Sequence, residues 1–329
     1  MAKNFSDEYV SINGISQYFL HIPNESKDVA IMLHGGPGIP NSYLAYYHQP
    51  YLDFCNVVYY DQRGAGKTQI KNRTKPESLS MDIMVEDLKE SVKYVKEKYK
   101  TDRVFLVGHS CGSTLGTQFI LKYPSDVCGY IGFGQEVSFE HQHRSWFEHL
   151  KAEVLKAGNK KDEKKIATVD EKFPNIPKDE FVKQTIMLTG LEAKYGFKAV
   201  DYLRIYRKSP IITFKDSIQL IGMNNGSKIS KWLLGNVYPG IDISNIKEYQ
   251  VPVYYILGRH DKWTPSTMAE EYFNTIKTPK KGLYWIEDAG HFVDTDNPSA
   301  FFGTIKEIMA QQWLNTRQGA CENNHFKHG

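Results

Sequence analysis

The sequence of 329 residues has few cysteines, little net charge and no long apolar run. Its four cysteines show no C-x-x-C spacing, which argues against a zinc site and against a disulfide framework. A formal charge of +3 is too small to indicate a nucleic-acid-binding surface. No apolar stretch approaches the roughly 20 residues that span a membrane, and the amino-terminal residues lack the apolar core of a secretion signal. These absences predict a globular cytoplasmic protein that binds neither nucleic acid nor membrane.

Strand-like and helix-like segments alternate in the first third of the chain. Residues 9–13 and 15–21 are typical of an opening hairpin, and residues 29–33 and 57–60 of short strands that end in glycine-containing loops. Apolar residues recur at helical spacing across residues 80–98, which predicts one buried helix face. Strands that alternate with helices predict a mostly parallel sheet with helices on both faces.

The character of the chain changes near residue 138, where lysine and aromatic residues become frequent. From there the pattern predicts helices at residues 139–157, 178–194 and 214–223. Strand-like runs return at residues 251–258 and 283–286, and a final helix is predicted at residues 298–314.

We therefore predict a core in two parts, residues 1–137 and 246–316, with a helical lid of residues 138–245 inserted between them. The lysine runs of the lid are most simply a solvent-exposed helix face. The polar residues 317–329 are expected to form a disordered tail.

A G-x-S-x-G pentapeptide centred on Ser110 follows the apolar run at residues 103–107. A strand that enters such a pentapeptide and a helix that leaves it form a sharp turn, from which the serine hydroxyl projects at the end of a sheet. The helix predicted for residues 113–123 points its amino terminus at the serine and favours negative charge there. This context predicts that Ser110 is a nucleophile. Cys111, the next residue, is expected to supply a backbone N–H.

A serine hydroxyl becomes a strong nucleophile when a base takes its proton and a third group orients that base. Asp261 follows the strand-like run at residues 251–258, and His291 follows the run at residues 283–286. The order serine, acid, histidine is the one that hydrolases built on an α/β sheet use. Asp288 and Asp294 are rival acids, but only Asp261 follows a strand that precedes the histidine strand. We predict that His291 is the general base and that Asp261 orients it.

A glycine-rich segment, residues 34–38 (HGGPG), follows the strand at residues 29–33. A loop of this kind lets backbone N–H groups approach a negatively charged oxygen. The predicted donors are the N–H groups of Gly36 and Cys111, with Gly35 as the alternative to Gly36. Together these features predict a serine hydrolase that forms an acyl-enzyme on Ser110 and needs neither a metal nor an organic cofactor.

With these residues in view, the chain resembles the proline-iminopeptidase-like branch of the α/β-hydrolase superfamily. Residues 34–38 and 61–66 (DQRGAG) are similar to two motifs of that branch, and residues 258–261 (GRHD) and 290–291 (GH) are similar to its acid and histidine loops. The resemblance covers residues 9–137 and 246–314 and is weak in the lid. It implies an α/β-hydrolase fold, with a mostly parallel central sheet and an inserted helical lid.

The weak resemblance in the lid leaves the substrate open. In the iminopeptidases, lid carboxylates hold the free α-amino group of the substrate, but residues 231–238 (KWLLGNVY) carry no acid that matches them. Glu136 and Glu140, which follow the strand that ends near residue 133, are candidates to replace them.

The same branch also contains serine-dependent esterases that open the lactone ring of macrolide antibiotics. Trp146, Trp232 and Tyr238 belong to an aromatic-rich lid that suits a bulky, mostly apolar ester, although the same rings are equally suited to packing within the lid. Residues 323–327 (NNHFK) resemble a translated integron-cassette recombination site, which favours an antibiotic-resistance role.

The favoured hypothesis is therefore an esterase or lactone hydrolase that acts on a small-molecule substrate, with ring opening of a macrolide antibiotic as its specific form. The alternative is an aminopeptidase of the proline-iminopeptidase type, which releases amino-terminal proline from peptides. Both activities require the same acyl-transfer chemistry at Ser110.

Overall fold

The described part of the chain, residues 5–198, 200–214, 216 and 228–325 of a computed structural model, is built on one eight-stranded sheet. Its strands are β1 (Ser6–Ile12), β2 (Ile15–Ile22), β3 (Val29–Leu33), β4 (Asn56–Tyr60), β5 (Val104–His109), β6 (Gly129–Phe133), β7 (Val253–Gly258) and β8 (Lys281–Ile286). They lie in the order β1-β2-β4-β3-β5-β6-β7-β8. β1 pairs antiparallel with β2, and β2 pairs antiparallel with β4, whereas the other neighbouring strands are parallel. The predicted, mostly parallel sheet is confirmed.

The first two strands form the predicted hairpin. Ile12 pairs with Ile15 across a two-residue turn, in which Asn13 and Gly14 have φ values of 43° and 78°. Two central residues at positive φ match the right-handed twist of the flanking strands, and asparagine followed by glycine adopts this conformation readily. The turn therefore fixes the register of β1 against β2.

Helices follow most of the strands. In chain order they are α1 (Ala45–His48), α2 (Gly66–Asn72), α3 (Met81–Tyr99), α4 (Cys111–Lys122), α5 (Phe139–Ala157), α6 (Lys160–Ile166), α7 (Lys178–Tyr195), α8 (Tyr202–Arg207), α9 (Lys228–Asn236), α10 (Ser266–Thr275), α11 (Val293–Asp296) and α12 (Pro298–His325). The predicted helix at residues 80–98 is confirmed as α3, whose N-cap residue Ser80 accepts a hydrogen bond from the N–H of Ile83.

The central strands are buried on both faces. Ile31 and Leu33 of β3 belong to a buried cluster that also contains side chains of α3 and α4 and the lid residue Trp146. Ala30 and Met32 belong to a second cluster, together with side chains of α12. Since successive strand residues point to opposite faces, the two clusters lie on either side of the sheet. This explains why the strand sequences are continuously apolar.

Helices α5 to α9 lie between β6 and β7, in the segment predicted to be the lid. α5 has the predicted bounds, and α7 ends one residue beyond the predicted range 178–194. The helix predicted at residues 214–223 lies outside the described residues, except for residues 214 and 216. Ser138 forms an isolated antiparallel bridge with Asp242, so the segment leaves and re-enters the core at adjacent points. That these helices act as a lid stays a prediction.

The last helix is longer than predicted. α12 continues to His325, past residue 314 and into the segment that we expected to be disordered. The prediction overlooked that no proline interrupts residues 299–325, so helical hydrogen bonding can continue. This corrects the predicted tail for residues 317–325, and residues 326–329 lie outside the described residues. Among the described helices, none has the length and apolar character needed to cross a lipid bilayer.

Candidate active site

Ser110 lies in the sharp turn between β5 and α4. Its backbone has φ 50° and ψ −126°, a conformation that residues with a side chain rarely adopt. The N–H of Ser110 donates to the carbonyl of Phe133 at 3.1 Å, which ties the turn to the neighbouring strand β6. Backbone strain of this kind costs about 1–3 kcal/mol and persists where the surrounding structure enforces it. The turn holds Ser110 at the end of the sheet, where the residue is 9% exposed.

Asp261 lies just beyond β7 and is buried. Its Oδ1 accepts the backbone N–H groups of Trp263 and Thr264, both at 3.0 Å. Its Oδ2 accepts the Thr264 hydroxyl at 2.8 Å and lies 3.0 Å from Nδ1 of His291. Each carboxylate oxygen therefore has two donors, and the carboxylate is held with Oδ2 toward His291.

The rival acids lie elsewhere. Asp288 is exposed. Asp294 is buried in α11, with its Oδ2 3.6 Å from Nε2 of His48, and burial raises the pKa of Asp294 to about 7. Of the three acids, the structure brings Asp261 into hydrogen-bond contact with the side chain of His291.

The loops that carry Asp261 and His291 meet because a glycine ends β7. A Cβ atom on Gly258 would lie 2.2 Å from the carbonyl oxygen of Gly290 and 2.8 Å from that of Ala289. Both distances are too short for any side chain to be accommodated. Residue 258 must therefore be glycine if the two loops are to approach each other this closely.

The imidazole of His291 is enclosed and faces negative charge. Burial lowers the pKa of His291, but the charge and hydrogen bond of Asp261, with contributions from Glu136 and Glu192, outweigh burial and raise that pKa above its ordinary value of 6.5. The carbonyl oxygen of His291 lies 2.9 Å from Nε2 of His109, the residue before Ser110. The strand that presents the serine therefore also holds the histidine loop.

The HGGPG segment lies directly against the serine turn. A Cβ atom on Gly35 would be 2.8 Å from the Cβ of Ser110, 2.8 Å from the carbonyl oxygen of His109 and 3.5 Å from the backbone nitrogen of Cys111. Only glycine permits this approach, which places the segment beside the N–H of Cys111. The structure thus brings together the two segments from which we predict the donors to a negatively charged oxygen.

The DQRGAG motif holds this segment in place. The backbone N–H of Gln62 donates to Nε2 of His34 at 3.0 Å, and the side-chain amide of Gln62 donates to the His34 carbonyl at 2.8 Å. Asp61, buried beside Gln62, accepts the Ser42 hydroxyl at 2.6 Å and the Lys67 N–H at 2.7 Å. The motif therefore fixes the glycine-rich segment through His34.

Two further carboxylates face the site. Glu136, just after β6, accepts hydrogen bonds from the Thr114 hydroxyl and, at 3.6 Å, from the Cys111 thiol, both in the first turn of α4. Glu192, on α7, accepts the indole N–H of Trp146 at 2.8 Å. Both glutamates are partly exposed, and burial raises the pKa of each above its ordinary value. Their charges both act on His291.

Glu192 is absent from the residues that we predicted, although the sequence contains a signal for it. The buried face of α7 includes Phe181, Thr185 and Leu188, and helical spacing continues this face to residue 192. An acid in line with a buried helix face is unusual and marks a site candidate. Glu140, which we named with Glu136 as a candidate to replace the lid carboxylates, is exposed and bonded to Asn175.

The predicted lid aromatics occupy different environments. Trp146 and Tyr238 are 0% and 1% exposed, so neither offers surface to a ligand in this arrangement. The Tyr238 hydroxyl lies 3.5 Å from the carbonyl oxygen of Cys111. Trp232 is partly buried and packs against the lid side of the core. All three are thus packing residues in this structure, and a role in substrate binding stays a prediction.

Within the described residues, no group of three histidine, cysteine or acidic side chains could hold a metal ion. Burial and the neighbouring Glu136 raise the pKa of Cys111 well above its ordinary value, which keeps this thiol protonated. Cys111 therefore fits the backbone role that we predict for it.

The chain is similar to known proteins over most of its length. A model of the family described as serine aminopeptidase, S33, matches residues 24–297, which include Ser110, Asp261 and His291. A probable aminopeptidase, YbaC of Bacillus subtilis (strain 168), is 24% identical over 287 residues, which cover 84% of this chain and 86% of that protein. The proline iminopeptidase of Heyndrickxia coagulans is 25% identical over 289 residues, which cover 85% of this chain and 89% of that one.

The same fold occurs in solved structures. The crystal structure of a proline iminopeptidase-related protein from Thermus thermophilus superposes with a TM-score of 0.62 and 21% identity. The superposition covers 93% of this chain and 98% of the other. The similarity therefore extends over the lid segment as well as the core.

Proposed function

The chain belongs to the serine aminopeptidase family S33, in the proline-iminopeptidase-like branch of the α/β-hydrolases, and we propose that it removes amino-terminal residues, proline first among them, from peptides. This proposal ranks the aminopeptidase above the esterase, whereas the sequence alone favours the esterase. The relatives are named as aminopeptidases and iminopeptidases, and none of the names reported above refers to a macrolide.

The observation that carries the proposal is the pair of carboxylates beside His291. Glu136 and Glu192 come from different elements, are partly buried and both interact electrostatically with the histidine. Burial raises the pKa of both carboxyls, so a cationic partner would favour their charged forms. A protonated α-amine next to the scissile carbonyl is such a partner. An ester without an amine would leave the pair without a counter-ion.

The proposed mechanism is acyl transfer in two stages. Nε2 of His291 takes the proton of Ser110 as Oγ attacks the carbonyl carbon, and Asp261 stabilises the imidazolium that forms. The N–H groups of Cys111 and of Gly36, or Gly35 in its place, bind the developing oxyanion. The imidazolium then protonates the leaving amine, and water, activated by the same histidine, releases the acyl group from Ser110.

The pH dependence of activity follows from the surroundings of His291. Since Asp261 raises the pKa of His291 despite burial, the neutral base should become available only above the ordinary value of 6.5. We expect kcat/KM to rise with pH through a midpoint above 6.5, and to fall about tenfold per pH unit well below it. The measurement uses an aryl ester without an amine between about pH 5 and 9, so that only enzyme groups titrate. A flat profile, with the fold intact, contradicts His291 as base.

Replacement of Glu192 by glutamine should weaken the binding of amine substrates specifically. The glutamine oxygen can still accept the Trp146 N–H that Glu192 accepts at 2.8 Å, so α7 and α5 should keep their packing. The lost charged interaction is worth about 1.5–3 kcal/mol, or roughly 10- to 150-fold in affinity. We expect KM for a prolyl arylamide to rise by about that factor, with little change for an aryl ester.

Glu180→Gln is the matched control. Glu180 lies on the same helix but is exposed and pairs with Lys183 at 3.5 Å. Its replacement should therefore leave KM unchanged for both the prolyl arylamide and the aryl ester. An equal loss on the amine-free ester in Glu192→Gln would refute an amine-binding role and indicate disturbed packing.

The second candidate is hydrolysis of a bulky ester or lactone, a macrolide among them. Aromatic rings beside the site favour it: the partly exposed ring of Trp263 lies 5.1 Å from that of His291, and Phe292 lies 5.2 Å from the same ring. Turnover of a prolyl arylamide, its N-acetyl derivative, an aryl ester and a sixteen-membered macrolide separates the candidates. We expect the free-amine prolyl substrate to rank first. A higher kcat/KM for the macrolide would restore the esterase hypothesis.

A further inference from the structure

Trp263 covers one side of the His291 imidazole. The two ring centroids are 5.1 Å apart and their planes are inclined by 31°. Trp263 lies two residues beyond Asp261, and its backbone N–H donates to Asp261 Oδ1 at 3.0 Å. The residue that helps fix the acid thus also places an aromatic face beside the histidine that the acid orients.

A lid residue also packs against Trp263. The indole of Trp146, from α5, stacks on Trp263 with centroids 5.4 Å apart and planes inclined by 13°. Trp146 is fully buried, and its own N–H is held by Glu192. The indole of Trp263 therefore has little freedom to rotate, because an immobilised ring is stacked on it.

From this arrangement we propose that Trp263 is a positioning residue, which sets the plane of the His291 ring and stabilises its protonated form through its aromatic face. The inference rests on the proposed function, in which His291 becomes an imidazolium during each proton transfer. A cation within about 6 Å of an indole face is attracted to the negative potential of the ring. Trp263 would therefore favour the transition state, in which this charge develops.

Other groups around His291 also affect its titration and must be held constant in a test. Those that interact electrostatically with it are Asp261, Glu136, Glu192, Asp294 and the neighbouring His109. Trp263→Leu leaves all five in place, keeps an apolar side chain over the histidine and removes the aromatic face.

Two explanations of Trp263 predict shifts of opposite sign. If the ring acts as a π partner for the imidazolium, its removal should lower the pKa of His291 by roughly half a unit. If the ring only excludes water, its removal admits solvent, and the pKa of His291 should rise, because burial lowers it.

The test is an NMR titration of the His291 imidazole in protein with labelled histidine, which requires no substrate. The chain has 11 histidines, and His291→Gln assigns the resonance. We expect a lower pKa in Trp263→Leu, an intermediate value in Trp263→Phe and no change in Trp285→Leu, where a half-buried tryptophan of β8 is replaced. The Phe variant retains a ring and keeps the test decisive if the Leu variant does not fold.

An unchanged or raised pKa of His291 in the folded Leu variant, or in the Phe variant if Leu does not fold, overturns the proposal. A failure of the proposed function would be separate: the wild type would then prefer another substrate to the prolyl arylamide, or hydrolyse none, while the titration would still report on Trp263. Where the enzyme is active, the midpoint of the kcat/KM profile should shift with the NMR value, and kcat should fall more than KM rises.

Discussion

Replacement of Ser110 by alanine is expected to lower kcat by about a millionfold, because the loss of a serine nucleophile has an effect of that order in a serine protease. The substitution removes one hydroxyl and leaves the backbone hydrogen bond from residue 110 to Phe133 in place. Alanine has the same backbone restrictions as serine at φ 50°, so little additional strain is expected. The measurement is kcat on the best substrate of the panel, together with a thermal unfolding curve.

Ser78→Ala provides the matched control for this substitution. Ser78 is an exposed serine in the segment between α2 and α3, and its hydroxyl donates to the Lys75 carbonyl. Its replacement should leave kcat unchanged. A Ser110→Ala protein that keeps more than about a hundredth of the activity, with no contaminating hydrolase, would exclude acyl transfer through Ser110.

Replacement of Asp261 by asparagine is expected to lower kcat by about ten-thousandfold, the effect of the same change in a serine protease triad. Within the described part of the chain, the carboxylate of Asp261 contacts only hydrogen-bond donors: two backbone N–H groups, the Thr264 hydroxyl and the His291 ring. Whichever way the asparagine amide is oriented, its NH2 group meets donors instead of acceptors. Orientation toward His291 would favour the tautomer that cannot accept the proton of Ser110.

The control for this change is Asp288→Asn. Asp288 lies three residues before His291 and is exposed, so its charge is screened by solvent and its loss should have little effect. A larger loss of kcat in Asp288→Asn than in Asp261→Asn would show that Asp261 is not the acid that orients His291.

Much of the candidate site could be predicted because it lies at the ends of strands. Parallel strands end at one edge of a sheet, so the residues that follow β5, β7 and β8 lie along the same edge. Ser110, Asp261 and His291 occupy these three positions. Local chemistry also predicted the opening hairpin, where asparagine and glycine at positive φ form the turn.

The lid could not be predicted to the same degree, because its contacts depend on how helices pack. Sequence periodicity located α5 and α7 but could not show that Glu192 is partly buried and bonded to Trp146. It also could not show that Trp146 is buried against Trp263. Of the aromatic residues that suggested a bulky ester, Trp146 and Tyr238 are buried by packing. Glu192, the acid that supports an amine substrate, lies in a helix whose sequence contains several other charged residues.

The central claim is that Ser110 is the residue acylated during turnover, and covalent labelling tests it most directly. The purified protein is treated with a fluorophosphonate, and the modified peptide is identified by mass spectrometry. Our account predicts a single adduct on Ser110, with loss of activity in proportion to labelling and no adduct in Ser110→Ala. Inactivation by an adduct on any other residue, or continued hydrolysis after Ser110 is fully labelled, would contradict it.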